Sequence, residues 1–495
     1  MGTEQAIAGY CWPQSAKPGE TITLYCHTIA KQFSLAIIRQ GGTNQTVQEQ
    51  TGFQGVEQVM PEAMSVEGCA WQPSVDIKIE SNWPSGFYLI ELTAEDGATA
   101  EAFFVVRSEA RHDAMFVVST STWAAYNDWG GPSFYTGGHI SNTHRPLPPG
   151  FLKKPDPMHY RIGKLAELTR EQRKEFFEQH SYWCMASGWC NQEILFVRWA
   201  EQQGITLDYA VSHDLDIDAD LLTDYPAYIS VGHDEYWSKA MRDNVENYVE
   251  TGGHAAFFSG NTSFWQVRFQ NDYSQVVGYK LALTEDPVYG TDEQSTLSTM
   301  WSDPLVGRPE NEMTGVSFTH GGYAHMRNAP NGSGGYTVWR PEHWAFEGVG
   351  LRSGDLLGAE PAVVVAYECD GCELGMENGL PYATGNDGTP ANFTVLGTAP
   401  AHLWETQEGL ASGLPDDYIG ELNWVAERLG GADMPQVRER YTHGQAVLGS
   451  FEKGSGEVFT TGCTDWAYGL SDEKVQQVTM NVLKHFGVVL SAAVL

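Results

Sequence analysis

Over residues 1–108 apolar and polar positions alternate in short runs, such as Thr21-Ile22-Thr23-Leu24-Tyr25 and Phe87-Tyr88-Leu89-Ile90-Glu91-Leu92. Turn-forming strings separate them: Pro18-Gly19-Glu20, Gly41-Gly42, Pro84-Ser85-Gly86 and Asp96-Gly97. Period-two runs at this spacing predict a β-sandwich, with 101–107 as its last strand. After Ser108 the pattern changes. Residues 114–119 are continuously apolar, as in a parallel strand buried on both faces. Further strands are expected at 207–211, 227–231 and 255–258, and helical periodicity covers 192–204 and about 236–250. This alternation predicts α/β architecture with parallel pairing. Later strands are expected at 362–367, 392–396 and 457–460, with a closing helix at 472–486. The stretch 270–350, rich in Gly, Asn and Ser, is expected to hold long ordered loops and short strands.

The fold expected is therefore an N-terminal all-β sandwich (1–108) followed by an α/β domain (109–495). Its sheet is expected to be mainly parallel, similar to class I glutamine-amidotransferase-like folds. Charge narrows the partners. With 29 basic and 63 acidic residues the formal charge is −34, so phosphate backbones and anionic membranes are repelled. Hydrophobic residues at 42 % and aromatics at 12 % exclude a disordered acidic chain. No apolar run approaches the ~20 residues a membrane helix needs. The opening Met1-Gly2-Thr3-Glu4 lacks the basic and apolar stretches of a secretory leader. Eight cysteines in this length do not make a disulfide framework. A soluble cytoplasmic protein with reduced thiols is expected.

In open α/β sheets, sites form at the carboxyl ends of strands. Three segments occupy such ends. Gly232-His233-Asp234-Glu235-Tyr236-Trp237-Ser238 puts carboxylates and an imidazole at a tight turn, suited to metal ligation or acid–base work; the bland alternative is a helix cap. Thr122-Trp123-Ala124-Ala125-Tyr126-Asn127-Asp128-Trp129 reads as a pocket wall or as ordinary aromatic packing. Tyr367-Glu368-Cys369-Asp370 ends an apolar run in acids, giving a candidate general base or a solvated loop acid. Cys369-x-x-Cys372 and the pair Cys184 and Cys190 read as ordinary thiols rather than a zinc site. Nucleotide-binding glycine motifs and a serine elbow are absent from the sequence.

These strings resemble the large (β) subunit of N,N-dimethylformamidase and its relatives. They are Thr122–Asn127, the Gly232–Ser238 string, Phe258-Ser259-Gly260-Asn261, Trp265-Gln266-Val267-Arg268-Phe269, Tyr367-Glu368-x-Asp370, and Gly456-Glu457-Val458-Phe459 running on to Asp465-Trp466. The resemblance implies a mononuclear Fe(III) site with two tyrosines and one glutamate, hydrolysing the amide bond of dimethylformamide. Glu235 and Tyr126 match two ligands, His233 a polar neighbour, and Glu368 the base. The family's second tyrosine lies near an Arg-Pro-aromatic string, which here reads His144-Arg145-Pro146-Leu147. Tyr160 is the first choice for it, with Tyr135, or a changed site, as alternatives. Trp123, Asn127, Trp129, Trp237 and Asn261 are expected around the substrate. The resemblance also implies a homo-oligomer and a small accessory subunit.

The leading expectation is thus an iron-dependent hydrolase of small N-substituted amides. The alternative is a non-enzymatic binding or scaffold protein that keeps the family shell, taking a carbohydrate or a partner. A thiol hydrolase using Cys184, Cys190 or Cys463 ranks last, because no thiol lies at the elbow.

Overall fold

The computed structural model describes residues 5–325, 334–404 and 421–488. At the N-terminal end, Ile7–Trp12, Thr21–Thr28 and Val75–Lys78 form a three-stranded antiparallel sheet. A five-stranded sheet faces it, in the order Ser15–Ala16, Thr99–Val106, Gly86–Ala94, Gln32–Gln40, Gln45–Gln54. Alternation aims Ile22 and Leu24 of the first sheet and Leu35, Ile37, Ile90 and Phe104 of the second into one shared core. Each such side chain contributes about 1.5–3 kcal/mol when fully buried.

Gly86–Ala94 and Thr99–Val106 are buried on both faces. Their other faces send Phe87, Leu89, Phe103 and Val105 into the large core of the following residues. There Phe87 stacks on Trp189 with centroids 3.9 Å apart. This is why the run at Phe87–Leu92 carries more apolar residues than a half-solvated strand needs. Polar links reinforce the seam: Arg39 makes two bonds to Glu201 (2.7 and 3.1 Å), and Ser15 Oγ donates to Asp214 at 2.8 Å.

The main sheet has the order Leu207–Val211, Ala114–Val118, Ala227–His233, His254–Gly260, Gly456–Thr460, His443–Lys453, Thr394–His402, Ser317–Tyr323, Glu368–Gly371, with Tyr336–Val338 also on Thr394–His402 and Leu356–Leu357 paired to Tyr336–Val338. The first five strands are parallel. From Gly456–Thr460 onward every pairing is antiparallel. The sheet is therefore mixed rather than mainly parallel. Only two residues, Gly454 and Ser455, join His443–Lys453 to Gly456–Thr460, and so short a loop joins only antiparallel neighbours.

Two other expectations change. Residues 362–367 are not a strand; the strand is Glu368–Gly371. Val363, Val364 and Val365 are buried, but their backbone bonds go to loop carbonyls, with Val364 N on Gly358 O and Val365 N on Gly334 O, both 3.0 Å. An apolar run buried on all sides has no period to tell coil from strand. The helix expected from 236 begins at Lys239, capped by Ser238 Oγ, which accepts from Met241 N at 3.1 Å. Tyr236–Ser238 instead pairs in parallel with Trp265–Val267.

Candidate active site

Four strand ends converge. Ala114–Val118 leads into the helix Thr120–Tyr126, Ala227–His233 into Glu235, and His254–Gly260 into Asn261, while Glu368–Gly371 begins at Glu368. The turn at Gly232 requires glycine: its φ is +77°, and a Cβ would lie 2.6 Å from Cβ of Gln192.

The centre of the cluster is an oxygen-rich group. Tyr126 Oη donates to Glu235 Oε2 at 2.9 Å. Tyr135 Oη lies 2.7 Å from Tyr126 Oη and 2.9 and 3.0 Å from the two Glu235 oxygens. Tyr236 Oη donates to Tyr135 Oη at 2.9 Å, and Trp265 Nε1 donates to Glu235 Oε1 at 2.8 Å. On the other side, His233 Nε2 stands 3.2 Å from Glu235 Oε2 and 2.7 Å from Glu368 Oε2. His233 Nδ1 points at the Ala186 carbonyl (3.1 Å), and Asn261 Nδ2 donates to Glu368 Oε2 at 3.1 Å.

Burial, then the Glu235 charge, pushes both Tyr126 and Tyr135 well above the usual phenol range. Burial opposes charge on His233, but Glu368 and Glu235 outweigh it and hold the imidazole well above its ordinary value. Burial would also raise Glu235, yet the donors His233 and Tyr135 and the nearby Lys280 keep it below the ordinary carboxylate value. His233 thus stands between the carboxyl groups of Glu235 and Glu368, with two phenols at the Glu235 end. Lys280 Nζ lies 3.6 Å from the Tyr135 ring centroid. Burial lowers its ammonium to about 8, with Glu235 opposing.

Ile162, Tyr182, Trp183, Phe264, Phe318, Tyr323, Tyr367 and Trp404 enclose these groups in a cavity of about 60 Å³. At ~10–15 Å³ per water this holds about four to six waters. Among the described residues, no group of three or more His, Cys, Asp and Glu is placed to hold a metal. The oxygen donors able to hold a hard cation are Tyr126, Tyr135 and Glu235.

The structure brings together Tyr126, Glu235, His233, Glu368 and Asn261 from the sequence reading. It does not bring Tyr160, whose ring stacks on Phe176 at 4.3 Å; the second phenol beside Glu235 is Tyr135. The pocket reading of three tryptophans and an asparagine is also corrected. Trp123 Nε1 donates to Glu193 (3.1 Å), Trp129 packs edge-on against Trp71, and Asn127 Nδ2 donates to the Pro146 carbonyl (3.0 Å). Trp237 lies in the core cluster on the opposite face of the sheet, because Tyr236 and Trp237 are neighbours on one strand and alternation sends only the first toward the cavity. Lys280 carried no motif to announce it. None of Cys184, Cys190 and Cys463 lines the cavity, and burial raises all three thiols, to about 12, 11 and 12.

A sequence-family profile described as "N,N-dimethylformamidase beta subunit-like, C-terminal" matches residues 35–479. The chain is 22 % identical over 465 residues to the N,N-dimethylformamidase beta subunit of Alcaligenes sp, covering 85 % of this chain and 55 % of that one. It is 21 % identical over 462 residues to the beta subunit of Paracoccus aminophilus, with the same coverages. The chain thus spans about half the length of the curated relatives it matches. Among solved structures, murine CEACAM1b matches 23 % of this chain and 62 % of its own at 14 % identity, with a TM-score of 0.12, too low to bear on the fold.

Proposed function

Because the chain belongs to the N,N-dimethylformamidase beta subunit-like family, we propose that it is a hydrolase of small N-substituted amides such as N,N-dimethylformamide, dependent on a single ferric ion. The observation that carries this reading is the meeting of Tyr126, Tyr135 and Glu235 within 2.7–3.0 Å of one another. Two phenols and a carboxylate are hard oxygen donors, which suit Fe(III) better than the nitrogen and sulfur ligands that zinc favours. Phenols whose proton loss is opposed by burial and by a neighbouring carboxylate need a cation to become phenolates. These three residues would hold the iron. When bound, it supplies Lewis acidity, polarising a carbonyl and acidifying a water.

The remaining work falls to the chain. Glu368 takes a proton from the attacking water and gives it to the departing amine, so that amide and water become carboxylic acid and amine. His233, between Glu368 and Glu235, holds the first carboxylate in place and balances its charge. Asn261 Nδ2 fixes the same oxygen of Glu368. Lys280 offsets the negative charge around the phenols. The aromatic wall excludes bulk water, which strengthens each of these interactions, and the cavity size suits an amide of a few heavy atoms.

The relatives' designation as beta subunits supports an assembly that includes a second kind of chain, and we extend the proposal to a cytoplasmic homo-oligomer with a small accessory subunit. Among the described residues no helix is long and apolar enough to cross a membrane. The binding-protein alternative is the less favoured reading, because it gives no reason for Tyr126, Tyr135 and Glu235 to meet in one buried cluster. The test is iron content, a visible tyrosinate-to-iron band, and dimethylamine release from N,N-dimethylformamide by the purified chain. Glu235→Ala is expected to abolish all three. Full activity in metal-free protein would overturn the reading.

A further inference from the structure

The string Tyr367-Glu368-x-Asp370 carries two acids, and the reaction uses only the first. Both lie on the strand Glu368–Gly371 and are buried. Two residues apart on one strand, they leave the same face. Glu368 reaches the cavity, whereas Asp370 does not line it. Asp370 Oδ1 instead accepts from Asn261 N at 2.9 Å, and Oδ2 accepts from Thr262 N at 3.1 Å.

The turn it grips is one the chain would not choose. Asn261 and Ser263 have φ of +49° and +55°, a left-handed region disfavoured for residues with a Cβ. The turn is held at both ends. A Cβ on Gly260 would lie 2.4 Å from Thr464 N, and Ser263 N donates to the Asp234 carbonyl at 2.8 Å. It delivers three groups to the cavity in succession: Asn261, whose Nδ2 holds Glu368; Phe264, in the wall; and Trp265, whose indole holds Glu235. Asn261 Oδ1 is buried with no protein partner among the described residues, so this side chain has an acceptor to spare at the site.

We propose that Asp370 is a positioning residue. By binding two successive amides of the turn 261–263, it sets Asn261 against Glu368 and Trp265 against Glu235. The proposal rests on the amide-hydrolase reading for its kinetic consequences, and on geometry alone for the clamp.

The test uses the full chain loaded with iron. Asp370→Asn turns one acceptor into a donor facing an amide N–H. In protein loaded with saturating iron it is expected to lower kcat for N,N-dimethylformamide by about 10–100-fold, as small misplacements at a reacting centre do, while KM stays at the wild-type level. In metal-free protein the Trp265 indole proton resonance is expected to move. Asn261→Ala should lower kcat similarly, and the double variant should lose less than the product of the two single losses, because the two share the Asn261–Glu368 contact. Wild-type kcat in Asp370→Asn, or losses that multiply in the double variant, would overturn the proposal. If Asp370→Asn does not fold, amide hydrogen exchange in wild-type protein decides: Asn261 and Thr262 should exchange as slowly as the central strands, and rapid exchange overturns the clamp. If wild-type protein does not hydrolyse the amide, the amide-hydrolase reading fails on its own, and an unshifted Trp265 resonance in the variant still overturns the clamp.

Discussion

Replacing Tyr135 and Tyr160 separately by Phe tests which phenol completes the site. Tyr135 Oη touches Tyr126 Oη and both Glu235 oxygens and is the acceptor for Tyr236 Oη. Its removal takes one donor from a buried carboxylate and one acceptor from a buried phenol. A hydrogen bond to a charged group contributes about 1.5–3 kcal/mol and a neutral one about 0.5–1.5, which puts the cost of Tyr135→Phe in metal-free protein at about 2–4 kcal/mol. Tyr160→Phe keeps the ring stacked on Phe176 and is expected to change stability by no more than about 0.5 kcal/mol. The iron readout separates them further. Disturbing groups one layer out from a metal weakens binding ~10–100-fold, and losing a ligand should cost at least that. Urea unfolding of metal-free protein and iron titration followed by the visible band measure the two effects. Loss of the band in Tyr160→Phe, with normal binding in Tyr135→Phe, would refute the assignment.

Two further outcomes follow from the same geometry. Glu193 accepts from Ser119 N and Trp123 Nε1 (3.0 and 3.1 Å), and burial pushes its carboxyl from 4.5 up to about 8. A raised pKa means that the fold favours the neutral acid, so this contribution is whole below about pH 4.5 and is lost as pH climbs through about 8. Glu193→Gln should remove a slope of up to ~1.4 kcal/mol per pH unit across pH 5–8, and parallel unfolding curves for variant and wild type would contradict this. Trp265→Phe removes the indole donor to Glu235 and should lower kcat about 10–100-fold, whereas Trp123→Phe should leave kcat and KM unchanged; the reverse pattern would return Trp123 to the pocket wall.

What the sequence made legible follows from how strongly each segment is buried. Residues 207–211 are strand as far as the sequence pattern suggests, and His233 and Glu235 follow the end of their strand as expected, whereas Glu368 reaches the same cluster from the start of a strand rather than the end of one. Legibility failed where a side chain's direction depended on partners distant in sequence. Tyr135 comes from a loop without period, held by Ser133 and Thr136. The paired Gly130-Gly131, which fold the chain back between Tyr126 and Tyr135, were the available signal. Lys280 adopts φ +54° in a segment rich in turns, and a single lysine carries no pattern. The antiparallel half of the sheet was hidden in the same way, except at the Gly454-Ser455 hairpin, where loop length alone could have given the strand direction.

The order of strands in the main sheet also governs when the protein can be completed on the ribosome. The strand at its centre, Gly456–Thr460, is among the last to be made, and it joins the half that carries Glu235 and Asn261 to the half that carries Glu368 and Phe318. At ~5–20 residues per second of synthesis, the 232 residues between Tyr135 and Glu368 alone take roughly 10–50 s. Throughout that interval the nascent polypeptide holds its phenols without the keystone that closes the vault above them, so the cavity around Tyr126, Tyr135 and Glu235 belongs to the finished chain.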